Sequence, residues 1–185
     1  QNALLWTKDG RFLLVCNPGS NDVSVFKVDG ENVSFLNKYS SGGQMPVSIT
    51  QYKDLIYVLN SGHHGVLSGF NLTQDGVLNP IPGINIEVDT MVCGPAQASF
   101  TYDGTGIIVT CRSTNKIIGF QMSKDGIPVG KTIISSNSEV PYGFDLDEDG
   151  KIYVTEARES GISVYQWKDG KNVEKLFDLA KDLHT

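Results

Sequence analysis

At 185 residues, 39% hydrophobic and 19% charged, the chain carries enough apolar material for a core of ordinary domain size and is neither a disordered segment nor a small disulfide scaffold. Fifteen Lys and Arg against 21 Asp and Glu give a net charge of −6 with no Lys/Arg-rich run, so the electrostatic footprint of a nucleic-acid partner is missing. No apolar run approaches the roughly 18 residues that span a bilayer, so membrane insertion is not expected either.

The chain opens on QNALLW, without Met and without a signal-peptide pattern, as expected of something processed or cut from a longer protein. From there it repeats itself. RFLLVCNPGSNDVSVFKVDG (11 to 30), LIYVLNSGHHGVLSGFNLTQDG (55 to 76), GIIVTCRSTNKIIGFQMSKDG (106 to 126) and KIYVTEARESGISVYQWKDG (151 to 170) align. The closing Asp-Gly recurs at Asp29, Asp75, Asp125 and Asp169, and the aromatic before it at Phe26, Phe70, Phe120 and Tyr165. The two markers share a period of 44 to 50 residues.

Each unit reads as four strands. LLV, IYV, IIV and IYV are short β-branched or aromatic runs, while VSVFKV and ISVYQW alternate as half-buried strands do. Asp9-Gly10, Asp103-Gly104 and Asp149-Gly150 precede the first run, and the closing Asp-Gly pairs follow the second. Both are hairpin signals, because glycine accepts positive φ without a steric penalty. A shorter first strand (Gln97 to Phe100, for instance) and a fourth (Asn32 to Tyr39) complete a set A to D. Four antiparallel strands at this period predict an all-β chain of propeller blades, about four of them, at roughly 1–45, 46–94, 95–140 and 141–185. The alternative is a sandwich of meanders. The tail from Leu176 to Leu183 either makes a turn or two of helix or finishes strand D. Four blades close a small ring or form part of a larger one, in which case a second chain or a further segment completes it.

Several local patterns bear on chemistry. Cys16, Cys93 and Cys111 have no CxxC spacing for zinc; they read as free thiols, with a Cys93–Cys111 disulfide as the alternative. Asn32-Val-Ser34 and Asn71-Leu-Thr73 are glycosylation sequons and favour an extracellular protein. DLDEDGKIYVTE, with Asp145, Asp147 and Asp149, matches the calcium-loop pattern, but Pro141 and the strand-like KIYVT make it an acidic A–B hairpin. Calcium is kept as a weak alternative to having no cofactor or metal. His63 and His64 fall in the B–C loop of the second unit, and adjacent histidines do not easily chelate one ion.

The runs NALLWTKDGRFLLVCNPGSNDVSVFKVDG and GPAQASFTYDGTGIIVTCRSTNKIIGF are similar to blades of the seven-bladed lactonase propellers. That family includes propeller-type 6-phosphogluconolactonase and the fungal carboxymuconate cyclase, and the resemblance extends over essentially the whole chain. It implies part of a seven-bladed ring and a lactonase or cycloisomerase acting on a small carboxylated lactone. In such a blade the start of strand A and the end of strand B share one mouth of the central channel. That places Asn2, Val47, Ala96 with Gln97, and Tyr142 in one set, and Asn17, Asn60, Cys111 with Arg112, and Glu156 with Arg158 in the other. Arg112 matches the family's strand B arginine and Glu156 its glutamate, whereas Val47, Ala96 and Tyr142 stand where histidine or arginine is expected. Arg112 is expected to hold a carboxylate and Glu156 to move protons, with His64 as a substitute base. A salt bridge between Arg112 and Glu156 is the structural alternative. A non-catalytic secreted or cell-wall propeller, binding a ligand or protein partner, is the other functional one.

Overall fold

The structure, a computed structural model, describes residues 2–136, 139–158, 161–168, 170 and 172–180. Asp169 of the repeat and residues 181–183 of the tail lie outside the described residues. Sixteen strands are present among the described residues, in four antiparallel four-stranded sheets, each a meander in chain order. The sheets are β1–β4 (Leu4–Trp6, Phe12–Asn17, Asp22–Asp29, Asn32–Ser40), β5–β8 (Pro46–Tyr52, Leu55–Asn60, Val66–Leu72, Leu78–Glu87), β9–β12 (Pro95–Phe100, Gly106–Cys111, Lys116–Met122, Pro128–Ser135) and β13–β16 (Pro141–Leu146, Lys151–Glu156, Gly161–Lys168, Asn172–Ala180). These are the blades of a β-propeller. The tail finishes strand D as far as Ala180.

The turns explain the Asp-Gly repeat. In Thr7-Lys-Asp-Gly10 the Thr7 hydroxyl donates to Asp9 Oδ1 (2.7 Å), the amide of Arg11 donates to the same oxygen (3.1 Å), and Gly10 N–H donates to Thr7 O (2.8 Å). Gly10 stands at φ 75°, where a side chain would be strained. Thr101-Tyr-Asp-Gly104 repeats these bonds. Asp9 is consequently held well below the usual carboxylate range, to about 2, first by the Thr7 hydrogen bond. In the fourth blade Asp147 takes the threonine's place: it accepts from Lys151 N–H (2.8 Å) while Gly150 N–H bonds its carbonyl (3.0 Å).

Contacts divide the chain into two compact units, Asn2–Thr90 and Met91 onward. In the first, Leu14, Val23 and Val25 of one blade pack on Ile49, Ile56 and Val58 of the next, with Leu5 partly buried against them. In the second, Ile108 and Ile117 meet Phe144, Ile152, Val154, Tyr165, Trp167 and Val173. Trp167 is the large piece, and glycines make room for it. A Cβ on Gly106 would stand 2.5 Å from its ring and one on Gly119 2.6 Å, while its indole N–H donates to Thr105 Oγ1 (2.9 Å). β10 is buried along its whole length, as a strand covered on both faces must be, and β4 is exposed along almost all of it, as an outermost strand D can be.

Candidate functional site

The ends of strands A and B are joined by a repeated clasp. Ser61 and Gly62 N–H bond Met45 and Gln44 O, Arg112 and Ser113 bond Gly94 and Cys93 O, and Ala157 and Arg158 bond Val140 and Glu139 O. Met45, Gly94 and Val140 all have positive φ (56°, 57° and 67°) and each precedes a proline, which itself disfavours the ordinary helical conformation. For the β-branched Val140 this is a strained conformation. Asn21 and Asn115, also at positive φ, brace the clasp by accepting the N–H of Met45 and of Val140, each at 2.8 Å.

Strand A then bulges. Pro46 pairs with Asn60 but Ser48 with Leu59, Pro95 with Cys111 but Gln97 with Thr110, and Pro141 with Glu156 but Phe144 with Val154. The residues left over are Val47, Ala96 and Tyr142 with Gly143, so the strand A positions singled out in the sequence are the bulged ones. A bulge of this kind re-aims a side chain at the end of a sheet.

In the second unit the bulge brings Tyr142 to Arg112. The guanidinium carbon lies 5.1 Å from the Tyr142 ring centroid, Nη1 lies 3.5 Å from Tyr142 Oη, and Nε donates to Gly94 O (3.2 Å). Thr110 Oγ1 fixes Tyr142 from the other side by donating to its carbonyl (2.6 Å). No described carboxylate pairs with Arg112, so the Arg112–Glu156 salt bridge is absent among the described residues. The cation rests on an aromatic face and a carbonyl, two neutral partners that orient it, and among the described residues no carboxylate compensates its charge.

Glu156 ends β14 and is 1% exposed. Its Oε1 accepts from Ser136 Oγ (2.6 Å) and Tyr165 Oη (3.2 Å), while Oε2 is buried without a hydrogen-bond partner. Burial pushes this carboxyl above the ordinary glutamate range, and hydrogen bonds from Ser136, Ser163 and Tyr165 and the charge of Lys175 only partly pull it back. Burial likewise pushes the Tyr165 hydroxyl up to about 12. Ser136 was not singled out in the sequence, and Tyr165 was read only as the aromatic that marks the repeat. A serine directly after strand D (Ser41, Ser136) was the available signal for Ser136.

The other mouth positions are used by the blades themselves. Gln97 is buried, donating to Phe144 O (2.7 Å) and accepting from Phe144 N–H (3.3 Å). Asn60 is fully buried and donates to Ser41 O (3.1 Å) and Ser68 Oγ (3.3 Å), with Oδ1 unpartnered. Asn17 donates to Asp22 Oδ1 (2.7 Å) and Ser24 Oγ (2.8 Å). Asn2 is exposed and its carbonyl accepts from Ile49 N–H (2.7 Å). Arg158 is exposed and paired with Glu139. His64, in the first unit, holds Glu87 Oε1 at 2.9 Å.

Asp145, Asp147 and Asp149 are not gathered around one point. Asp147 closes the turn, Asp145 Oδ1 accepts from Leu146 N–H, and Lys151 Nζ sits 3.7 Å from Asp147 and 3.5 Å from Asp149. No group of three metal-ligating side chains occurs among the described residues. Asn32 and Asn71 of the sequons are both exposed. No helix among the described residues is long and apolar enough to cross a membrane.

Residues 2–93 match the family model described as "Lactonase, 7-bladed beta-propeller". No curated protein matches the chain. Among solved structures, a Bacteroides uniformis protein provisionally described as a 6-phosphogluconolactonase is 21% identical with a TM-score of 0.78, over 97% of this chain and 57% of its own. The periplasmic gluconolactonase of Pseudomonas aeruginosa is 13% identical with a TM-score of 0.75, over 98% and 58%. The virginiamycin B lyase of Staphylococcus aureus is 14% identical with a TM-score of 0.66, over 97% and 56%. At these identities the likeness is one of fold, and the chain spans less than two thirds of each of these structures. With every sheet built as a four-stranded blade and residues 2–93 carrying the family's sequence pattern, the chain is a β-propeller segment similar to the lactonase-type seven-bladed propellers.

Proposed function

We propose that the chain is part of a lactonase that opens a small anionic lactone, a sugar-acid lactone bearing a carboxylate or phosphate, with Arg112 as the anion anchor. The observation that carries this reading is the guanidinium of Arg112, oriented by Tyr142 and Gly94 beside a strand A bulge and facing no carboxylate among the described residues. Such a fork receives two oxygens of a carboxylate or phosphate at once. The gluconolactonase and 6-phosphogluconolactonase descriptions of similar structures support the choice of substrate class.

Ring opening adds water to the lactone carbonyl carbon, breaks the ring C–O bond and leaves an alkoxide that needs a proton. Glu156 is the group to supply it: burial raises its carboxyl above the ordinary glutamate range and so favours the protonated form, and the attacking water's proton restores it after transfer. Its place supports the role: Glu156 pairs across the sheet with Pro141, the neighbour of Tyr142.

Further blades complete the ring. Leu5 points into the core of the first unit, so Leu4 and Trp6, both exposed, lie on the opposite face of β1, where another blade would pack. A pH-stat assay of the intact native protein against a neutral gluconolactone, its 6-phosphate and a carboxylated muconolactone tests the proposal. Proton release is expected with at least one anionic lactone, and none with any of the three contradicts it.

A further inference from the structure

Cys93 and Cys111 flank the anchor of Arg112. Cys111 is the last residue of β10, immediately before Arg112, and Cys93 precedes Gly94, whose carbonyl holds the guanidinium. Both thiols are 0% exposed, and Cys111 Sγ lies 2.7 Å from Cys93 Sγ. Heavy atoms in van der Waals contact rest roughly 3.5–4.0 Å apart, and a disulfide brings its sulfurs to about 2.0 Å. The two sulfurs therefore face each other inside contact distance, on segments already locked together by Ser113 N–H to Cys93 O (2.9 Å) and Arg112 N–H to Gly94 O (3.2 Å). The turn leaves no room for a side chain at Gly94, where a Cβ would stand 2.6 Å from Ser113 Oγ.

We infer that Cys93 and Cys111 form a disulfide when the chain folds in the presence of a disulfide oxidant, fixing the clasp that carries Arg112. One thiolate attacks a small-molecule disulfide, forming a mixed disulfide and releasing one thiolate of the oxidant, which takes up a proton. The second cysteine thiolate attacks the protein sulfur of that mixed disulfide, closing the Cys93–Cys111 bond and releasing the second thiol. The two cysteines lose two electrons and two protons, and the oxidant becomes two thiols. Cys16 is left as a thiol: it packs into the core of the first unit, where burial pushes it up to about 12.

The bond itself does not depend on the lactone reading, and its test uses no activity. The full chain is refolded with oxidised and reduced glutathione, quenched in acid, denatured and alkylated. Among the three cysteines Cys16, Cys93 and Cys111, alkylation of Cys16 alone and a peptide linking Cys93 to Cys111 are expected, with all three alkylated after reduction. Reduction should also lower the melting temperature by roughly 6–12 °C, the chain-entropy value for a loop of this size in a protein of this length. C93S and C111S should melt with the reduced protein and be insensitive to reductant. Alkylation of Cys93 and Cys111 after oxidative refolding, or a link from either to Cys16, overturns the inference.

Discussion

Asn60 and Glu156 hold the same place in the second and fourth blades. Each ends its strand B, pairs with the proline that opens strand A, and reaches the serine that follows strand D of the preceding blade, Ser41 or Ser136. Each also leaves one buried oxygen unpartnered, Asn60 Oδ1 and Glu156 Oε2. An amide does this without ionising. Glu156 does it as a carboxyl that burial pushes above the ordinary glutamate range, which favours the uncharged form at the staple between the blades.

E156Q separates the staple from proton donation. A carboxyl whose folded-state pKa is raised binds its proton more tightly folded than unfolded. Its contribution is therefore full below the ordinary glutamate value of about 4.3 and is lost as pH rises through the raised folded value. Wild-type melting temperature should fall over that range, while E156Q should be flatter and melt several degrees higher at pH 7, with lactone turnover lost. Thermal melts from pH 4 to 8 check the first claim, and a variant that melts lower than wild type at pH 7 counts against it.

Asn115 has two tasks, a φ of 51° and acceptance of the Val140 N–H. N115D keeps both, N115G keeps only the backbone freedom, and N115A keeps neither. Urea midpoints should rank wild type and N115D above N115G and N115G above N115A, with N115A losing about 2–3 kcal/mol. Equal midpoints for N115G and N115A would mean that φ contributes nothing.

Gly119 is where Trp167 and Val173 press on β11, with a Cβ only 2.6 Å from the Trp167 ring. G119A should cost roughly 1–3 kcal/mol through overpacking. Combining it with W167L, which removes the ring in the way, should cost less than the sum of the two single changes. Strict additivity would show that the ring yields without strain.

The repeat made the fold legible, because Asp-Gly turns and β-branched runs act locally and recur with one period. The strand ends were legible to within a residue or two: the expected strand from Gln97 begins at Pro95, and that from Asn32 runs to Ser40. The site was legible only as a set of positions. The strand register placed Ala96 and Tyr142 at the start of strand A, and both are bulged, but a register carries no information about which way a bulge turns a side chain. Ala96 is buried and Tyr142 reaches Arg112. Similarly, Gln97 and Asn60 look like mouth residues in a one-dimensional register, yet their amides are taken up by neighbouring backbone, because a buried strand end must satisfy its own polar groups first.

If Arg112 binds the anionic group of a lactone, R112Q must discriminate between paired anionic and neutral lactones. Losing a hydrogen bond to a charged group costs roughly 1.5–3 kcal/mol, so kcat/KM for the anionic lactone should fall about 10- to 100-fold, mainly through KM. The neutral lactone of the same ring should be nearly unaffected. Equal losses on both lactones, or none on the anionic one, would contradict the account.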